Sequence, residues 1–234
     1  MRLIFGIVLA VCIAGCGGRR TPEYGAEQSL YLPGNVTQVW AVAPVINLSG
    51  YSQVDPLLQA DIVYQQLQQV AGLKVIPVNR VVEVYTALRL PQVQSEQQAA
   101  LVCDLLGCDA LLVAAVTAYD PYEPPKLGAS LQLFRRGAYR RPENVDPREL
   151  VRQASPGPAA TMPTGGSFVQ VVGMFDAANG SVRQEVLRYA YGRNDPASPF
   201  RERLYFVEMN RFCGFVYHNL IAELLGKPQL QPGS

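Results

Sequence analysis

The sequence predicts an α/β (α+β) protein: a mixed sheet begun by β-α-β units and finished by a late antiparallel hairpin, with helices packed on it. Apolar, β-branched runs at 39–46, 73–78 and 109–117 alternate with stretches whose apolar residues recur at helical spacing. The later runs, 129–134, 168–175 and 182–191, follow one another without such stretches. The last two are joined at Asn179-Gly180, a pair that tolerates positive φ and favours a hairpin turn.

The elements follow in order. Residues 39–46 predict a buried strand, and Asn47 to Ser52 turn the chain. Asp55 is placed to cap a helix with Pro56 in its first turn, and Leu57, Leu58, Ile62, Leu67 and Val70 keep the helical period as far as Gly72. A strand over 73–78 leads to a short helix at 81–88, which Pro91 closes off. Ser95 with Gln98 three residues on has the form of a capping box, and Gly107 suits the residue after the helix end. Residues 109–117 are apolar on both faces, as in a central strand. After the hairpin, a helix over 203–225 carries Leu204, Val207, Phe212, Phe215, Val216, Leu220 and Leu224.

The N-terminus sets the compartment. Arg2 precedes a short apolar run that ends in Ile13-Ala14-Gly15-Cys16. The run is too short for a permanent span, which needs roughly 20 residues, and fits the apolar part of a removable signal. Small residues before a cysteine match the bacterial lipobox, so residues 1–15 are expected to be a lipoprotein signal peptide and Cys16 the lipidated first residue. Residues 16–35 read as a lipidated cysteine and flexible tether, and 36–228 as a single α/β domain. Gly17, in place of an aspartate, directs the expectation to the outer membrane, facing the periplasm.

The chain has 234 residues, of which 49% are hydrophobic, enough for a packed core of one domain. The formal charge of +1 falls to zero when Arg2 leaves with the signal, a balance that excludes a nucleic-acid partner of the usual basic kind. Cys103, Cys108 and Cys213 remain after Cys12 is removed and Cys16 acylated. Cys103 and Cys108 flank one helix-to-strand turn, where either a disulfide or two buried free thiols would fit.

Residues 135–166 form an Arg/Pro-rich insertion with Arg135, Arg136, Arg140 and Arg141 at its start. Clustered guanidiniums favour phosphate or carboxylate partners, and loops of this length are functional or disordered. Tyr119-Asp120-Pro121-Tyr122 presents two tyrosines on a stiff turn, and tyrosine is enriched at interfaces. Tyr119, Tyr122, Arg135, Arg136, Arg140 and Arg141 are therefore the candidate partner-binding residues.

Nothing in the chain has the pattern of an enzyme. His218 is the one histidine, Asp104 and Asp109 suit caps and turns, and no phosphate loop, nucleophile elbow or zinc-protease motif occurs. One histidine and scattered cysteines give no metal-ligand spacing, and no cofactor is expected. Read as a strand, 182–191 puts Val182, Gln184, Val186, Arg188 and Ala190 on one face and Arg183, Glu185, Leu187, Tyr189 and Tyr191 on the other. Neither face suits lipid, which disfavours a barrel-forming hairpin.

Taken together, several segments resemble a known domain. Val39-Trp40-Ala41-Val42-Ala43-Pro44 with Asn47-Leu48-Ser49-Gly50, then Leu73 to Arg80, Gly107 to Thr117, and Phe175-Asp176-Ala177-Ala178-Asn179-Gly180-Ser181-Val182 resemble, in order, motifs of a periplasmic α/β domain. That domain is shared by the curli-secretion lipoprotein CsgG, the penicillin-binding-protein activator LpoB and the TolB N-terminal domain. Ala114 or Ala115 stands where those proteins usually have glycine, and the insertion has no counterpart. The resemblance implies a non-enzymatic lipoprotein that binds an envelope protein in a secretion or cell-wall synthesis complex. It implies as alternative a CsgG-like subunit of an outer-membrane secretion channel, with homo-oligomers in either case open.

Overall fold

The computed structural model describes residues 29–34, 36–136, 168–191, 193 and 197–230. Cys16, Arg140 and Arg141 lie outside the described residues. The architecture is mixed α/β: one six-stranded sheet with helices on both faces.

Strand β1 (Gln38–Val42) sits between β3 (Leu73–Ile76) and β4 (Ala110–Asp120), parallel to both. Beyond β4 the order continues antiparallel through β5 (Lys126–Arg135) to β6 (Phe168–Asp176). The expected strand 39–46 is interrupted. Val42 pairs Leu112 but Ile46 pairs Ala115, so the first chain holds one residue more than its partner between these rungs. The extra length falls at Ala43-Pro44-Val45, where Pro44 has no N–H for the ladder, and pairing resumes as β2 (Ile46–Asn47).

Helix α1 (Pro56–Leu67) starts as its sequence dictates: Asp55 Oδ1 accepts from the Leu57 and Leu58 N–H groups at 2.9 and 3.2 Å. It stops at Gln68, short of Gly72, whose positive φ of 83° instead shapes the entry to β3. Helix α2 (Val78–Leu88) begins a turn earlier than the spacing predicts, directly after Pro77. In α3 (Glu96–Leu106) the Ser95 hydroxyl accepts from the Gln98 N–H, and Gly107 closes the helix at φ 66°.

Asn179-Gly180 makes no hairpin, which corrects the expectation for 182–191. Asn179 keeps an extended backbone (φ −74°, ψ 128°), and its side chain accepts from the Ser181 N–H at 2.9 Å, so it caps helix α4 (Gly180–Ala190). The apolar positions explain why. Val182, Val186 and Ala190 recur every four residues and turn toward the core, a period that a strand cannot bury. The test for lipid-facing strand faces therefore has no strand at 182–191 to act on. The antiparallel hairpin is instead β4–β5, ten registered pairs with a bulge at Thr117.

The last helix is also divided. A 3-10 turn (Arg201–Arg203) leads into α5 (Leu204–Val207), Glu208 takes an extended conformation, and α6 (Met209–Leu225) follows. Helices α1, α4, α5 and α6 cover one face of the sheet over Trp40, Val42, Leu112, Leu131 and Leu133. Helices α2 and α3 cover the other over Ala41, Leu111, Val113 and Ala115, so β1 and β4 are buried on both sides.

Candidate partner-binding face

Where β4 turns into β5, the sheet presents its aromatic end. Asn47 holds the preceding loop: its Nδ2 donates to the Tyr51 carbonyl at 2.8 Å, and its Oδ1 accepts from the Ser49 N–H at 3.0 Å. That loop lays Tyr51 against Tyr119 with ring centroids 5.4 Å apart. Tyr119 is half-buried, and burial first, then Cys213 and Tyr51, raises its hydroxyl to about 12, so it stays protonated. Asp120 Oδ1 accepts from the Tyr122 N–H at 3.2 Å, turning the chain so that Tyr122 stands 74% exposed.

The turn is tied to the start of α4. Lys126 pairs with Asp176 at 2.8 Å, and the Ala177 N–H donates to the Pro125 carbonyl at 3.0 Å. The ion pair raises the Lys126 ammonium and lowers the Asp176 carboxyl. At Glu123, the residue after Tyr122, opens a cleft of about 610 Å³, walled also by Arg183, Phe200, Arg201, Glu202, Arg203 and Phe206. Arg183 lies over the Phe206 ring at 5.0 Å, and Phe200 is 57% exposed. Aromatic rings, stacked guanidinium and two further arginines form the composition that carries binding energy at protein interfaces.

The candidate partner-binding residues do not converge. Lys126 pairs with Asp120 and Arg135 with Ala110 at opposite ends of β5, a strand length of about 30 Å at ~3.3 Å per residue. Arg135 donates to the Gln229 carbonyl at 3.0 Å. Arg136 pairs with Asp104 at 2.8 Å, and its N–H donates to the Asp109 carbonyl. Both arginines hold this chain together at that end. Sequence reasoning missed Tyr51, Arg183, Phe200, Arg201 and Arg203. The available signal was Pro199-Phe200 in a polar stretch, an aromatic with no periodic partners.

Cys103 and Cys108 are both buried, and their sulfurs are not bridged in this structure. Asp109 serves as a strand-end tie: its Oδ2 accepts from the Val39 N–H at 2.8 Å. A second, smaller cavity of about 330 Å³ lies between α4 and α6, lined by Glu185, Arg188, Tyr189, Arg193 and His218. His218 is buried, its ring is 5.0 Å from Tyr189, and its Nδ1 has no hydrogen-bond partner. Burial, with Arg193 nearby, lowers His218 to about 4, so it is neutral at pH 7. The unfolded chain binds a proton near pH 6.5 while the folded one does not until about pH 4, so stability falls as pH drops through that window. Urea midpoints should show a loss of about 1–2 kcal/mol between pH 7 and pH 5 that His218→Gln lacks; equal losses in both proteins would refute it. Among the described residues no cluster of His, Cys, Asp and Glu is placed to hold a metal, and no helix is long and apolar enough to cross a membrane.

No protein-family model matches the chain, and no curated protein matches it in sequence. Among solved structures it is similar to the PelC dodecamer from Paraburkholderia phytofirmans, at 10% identity and TM-score 0.39 over 83% of this chain and 93% of PelC. It is similar to lipoprotein GNA1162 from Neisseria meningitidis, at 19% identity and TM-score 0.38 over 64% and 91% of the two chains. The LpoB C-terminal domain from Salmonella enterica matches at 12% identity and TM-score 0.39 over 61% and 85%. At TM-scores below 0.4 these likenesses are loose, and nothing those proteins do or form is transferred by them.

Proposed function

We propose that this chain is a lipoprotein anchored through Cys16 to the periplasmic side of the outer membrane. Its α/β domain binds, without catalysis, a partner protein of a secretion or cell-wall synthesis complex. The address rests on the lipobox Ile13-Ala14-Gly15-Cys16, and the type of complex on the motif resemblance of the strands. The binding role rests on one observation: exposed Phe200 lines an open cleft that contains an Arg183–Phe206 stack and that reaches Glu123, the residue after exposed Tyr122. Rigid aromatics whose rings lose little freedom on contact, beside arginines able to pair with carboxylates, suit a partner segment bearing acidic and apolar side chains.

Photocrosslinking in intact cells from Gln53, whose Oε1 accepts from the Tyr51 hydroxyl at 3.2 Å, from Tyr122 and from Phe200, with Arg135 as a control at the far end, tests this. The expected result is one discrete partner band from the first three positions and none from Arg135. Combining Tyr122→Ala with Phe200→Ala should weaken capture at least about tenfold, the loss of a small hot spot. Equal capture by the double variant, or crosslinks from Arg135 alone, would overturn the assignment of this face.

A further inference from the structure

The junction of α3 and β4 brings two cysteines together by backbone geometry. Gly107 takes the left-handed conformation that ends α3, and the Cys108 N–H donates back to the Cys103 carbonyl at 3.1 Å. This is the Schellman arrangement, in which the residue after the left-handed glycine packs on the residue five positions before it. An apolar pair usually makes that contact; here both positions are cysteine, and the Cys103 thiol hydrogen-bonds to Cys108. Both are fully buried in the layer under α2 and α3, while Cys213 is buried on α6 across the sheet.

We infer that Cys103 and Cys108 close a structural disulfide when the chain folds in the envelope, leaving Cys213 as the free thiol. This rests on the envelope address proposed above. Several features favour it. The backbone bond holds the two residues close, as a disulfide requires. Only four residues separate them, so they meet early in the unfolded chain, before burial shuts out an oxidant. In the fold the two sulfurs face each other: a hydrogen bond from Cys103 lowers the Cys108 thiol and raises its own.

In the reaction, the Cys108 thiolate attacks the disulfide of an envelope thiol oxidase and forms a mixed disulfide. The Cys103 thiolate then displaces the oxidase sulfur. Two protons and two electrons leave this chain, and the oxidase is reduced to its dithiol. The bond would brace the point where Asp109 ties β4 to β1 and where Asp104 and Asp109 hold Arg136, the residue preceding 137–167.

The test uses the full-length protein exported by its own signal. Cells are quenched in acid, and the protein is denatured and alkylated with a maleimide before or after reduction. Cys213 alone should react before reduction, and two more thiols after it. The tryptic segment 90–126, which contains both cysteines, should be lighter by two hydrogens than its reduced form. Equal alkylation before and after reduction would overturn the inference, as would a disulfide linking 90–126 to 212–234. The difference between the two counts reports the disulfide, whereas a thiol beyond Cys103, Cys108 and Cys213 after reduction would mean that Cys16 is not acylated. Failure of the anchor and failure of the bond are thus separable.

Discussion

Trp40→Ala is expected to cost about 3–5 kcal/mol, the range for removing a large buried aromatic, out of a total stability of roughly 5–15 kcal/mol. Trp40 is fully buried on β1, the strand held on one side by Val75 of β3 and on the other by Ala110 of β4. Its ring packs in the layer beneath α1 and α6, and its Nε1 donates to Gln38 Oε1 at 2.9 Å. Both neighbouring strands are anchored by their pairing to β1, so the hole cannot be closed by moving one element without disturbing the ladder. The measurement is urea unfolding followed by circular dichroism, because Trp40 is the sole tryptophan and the variant has no tryptophan fluorescence to follow. Trp40→Phe should recover more than half of the loss. A cost for Trp40→Ala below about 1 kcal/mol would mean that the layer is not packed against β1 as described.

The parallel half of the sheet is legible in the sequence because local and tertiary preferences agree there. Asp55, Ser95 and Gly107 act as the caps their spacing predicts, and the apolar run before Thr117 becomes a strand buried on both sides. The C-terminal half is less legible because one local signal conflicts with another. Asn-Gly points to a hairpin, yet Val182, Val186 and Ala190 fit only a helix, and the burial of three apolar side chains decides. Pro44 is a similar case on a smaller scale: a run apolar enough for one strand is broken by the missing N–H.

The candidate site was legible by halves for a related reason. Tyr122 could be placed on a turn from Pro121, whereas Tyr119, expected on the same turn, lies within β4 opposite Leu127. Arg135 and Arg136 follow within the same stretch of sequence, but a strand converts that short separation into the full height of the sheet. In the fold Glu123, next to Tyr122, shares a cleft with Phe200 and Arg183, which come from segments far along the chain. Such proximity depends on α4 packing as a helix beside the β4–β5 turn, so misreading 182–191 as a strand concealed the cleft.

Cys16→Ser separates address from fold. The serine hydroxyl lacks the thiolate nucleophile that takes a diacylglyceryl group, so incorporation of labelled palmitate should fall to background and the outer-membrane fraction should lose the protein. The effect is large because of the energetics of acyl anchors. Each buried CH₂ contributes about 0.8 kcal/mol, so one chain gives only reversible attachment while the two of a diacylglyceryl group hold firmly. The α/β domain should be unaffected, since Cys16 precedes Gln38, where the sheet opens, in the chain; its urea midpoint should match the parent within about 0.5 kcal/mol, as for changes outside a core. Crosslinking from Tyr122 should fall with the membrane fraction if the partner is itself held at that membrane. A Cys16→Ser protein that still carried palmitate and kept its outer-membrane fraction would refute the anchor, and with it the reason for placing the Tyr122–Phe200 face in the periplasm.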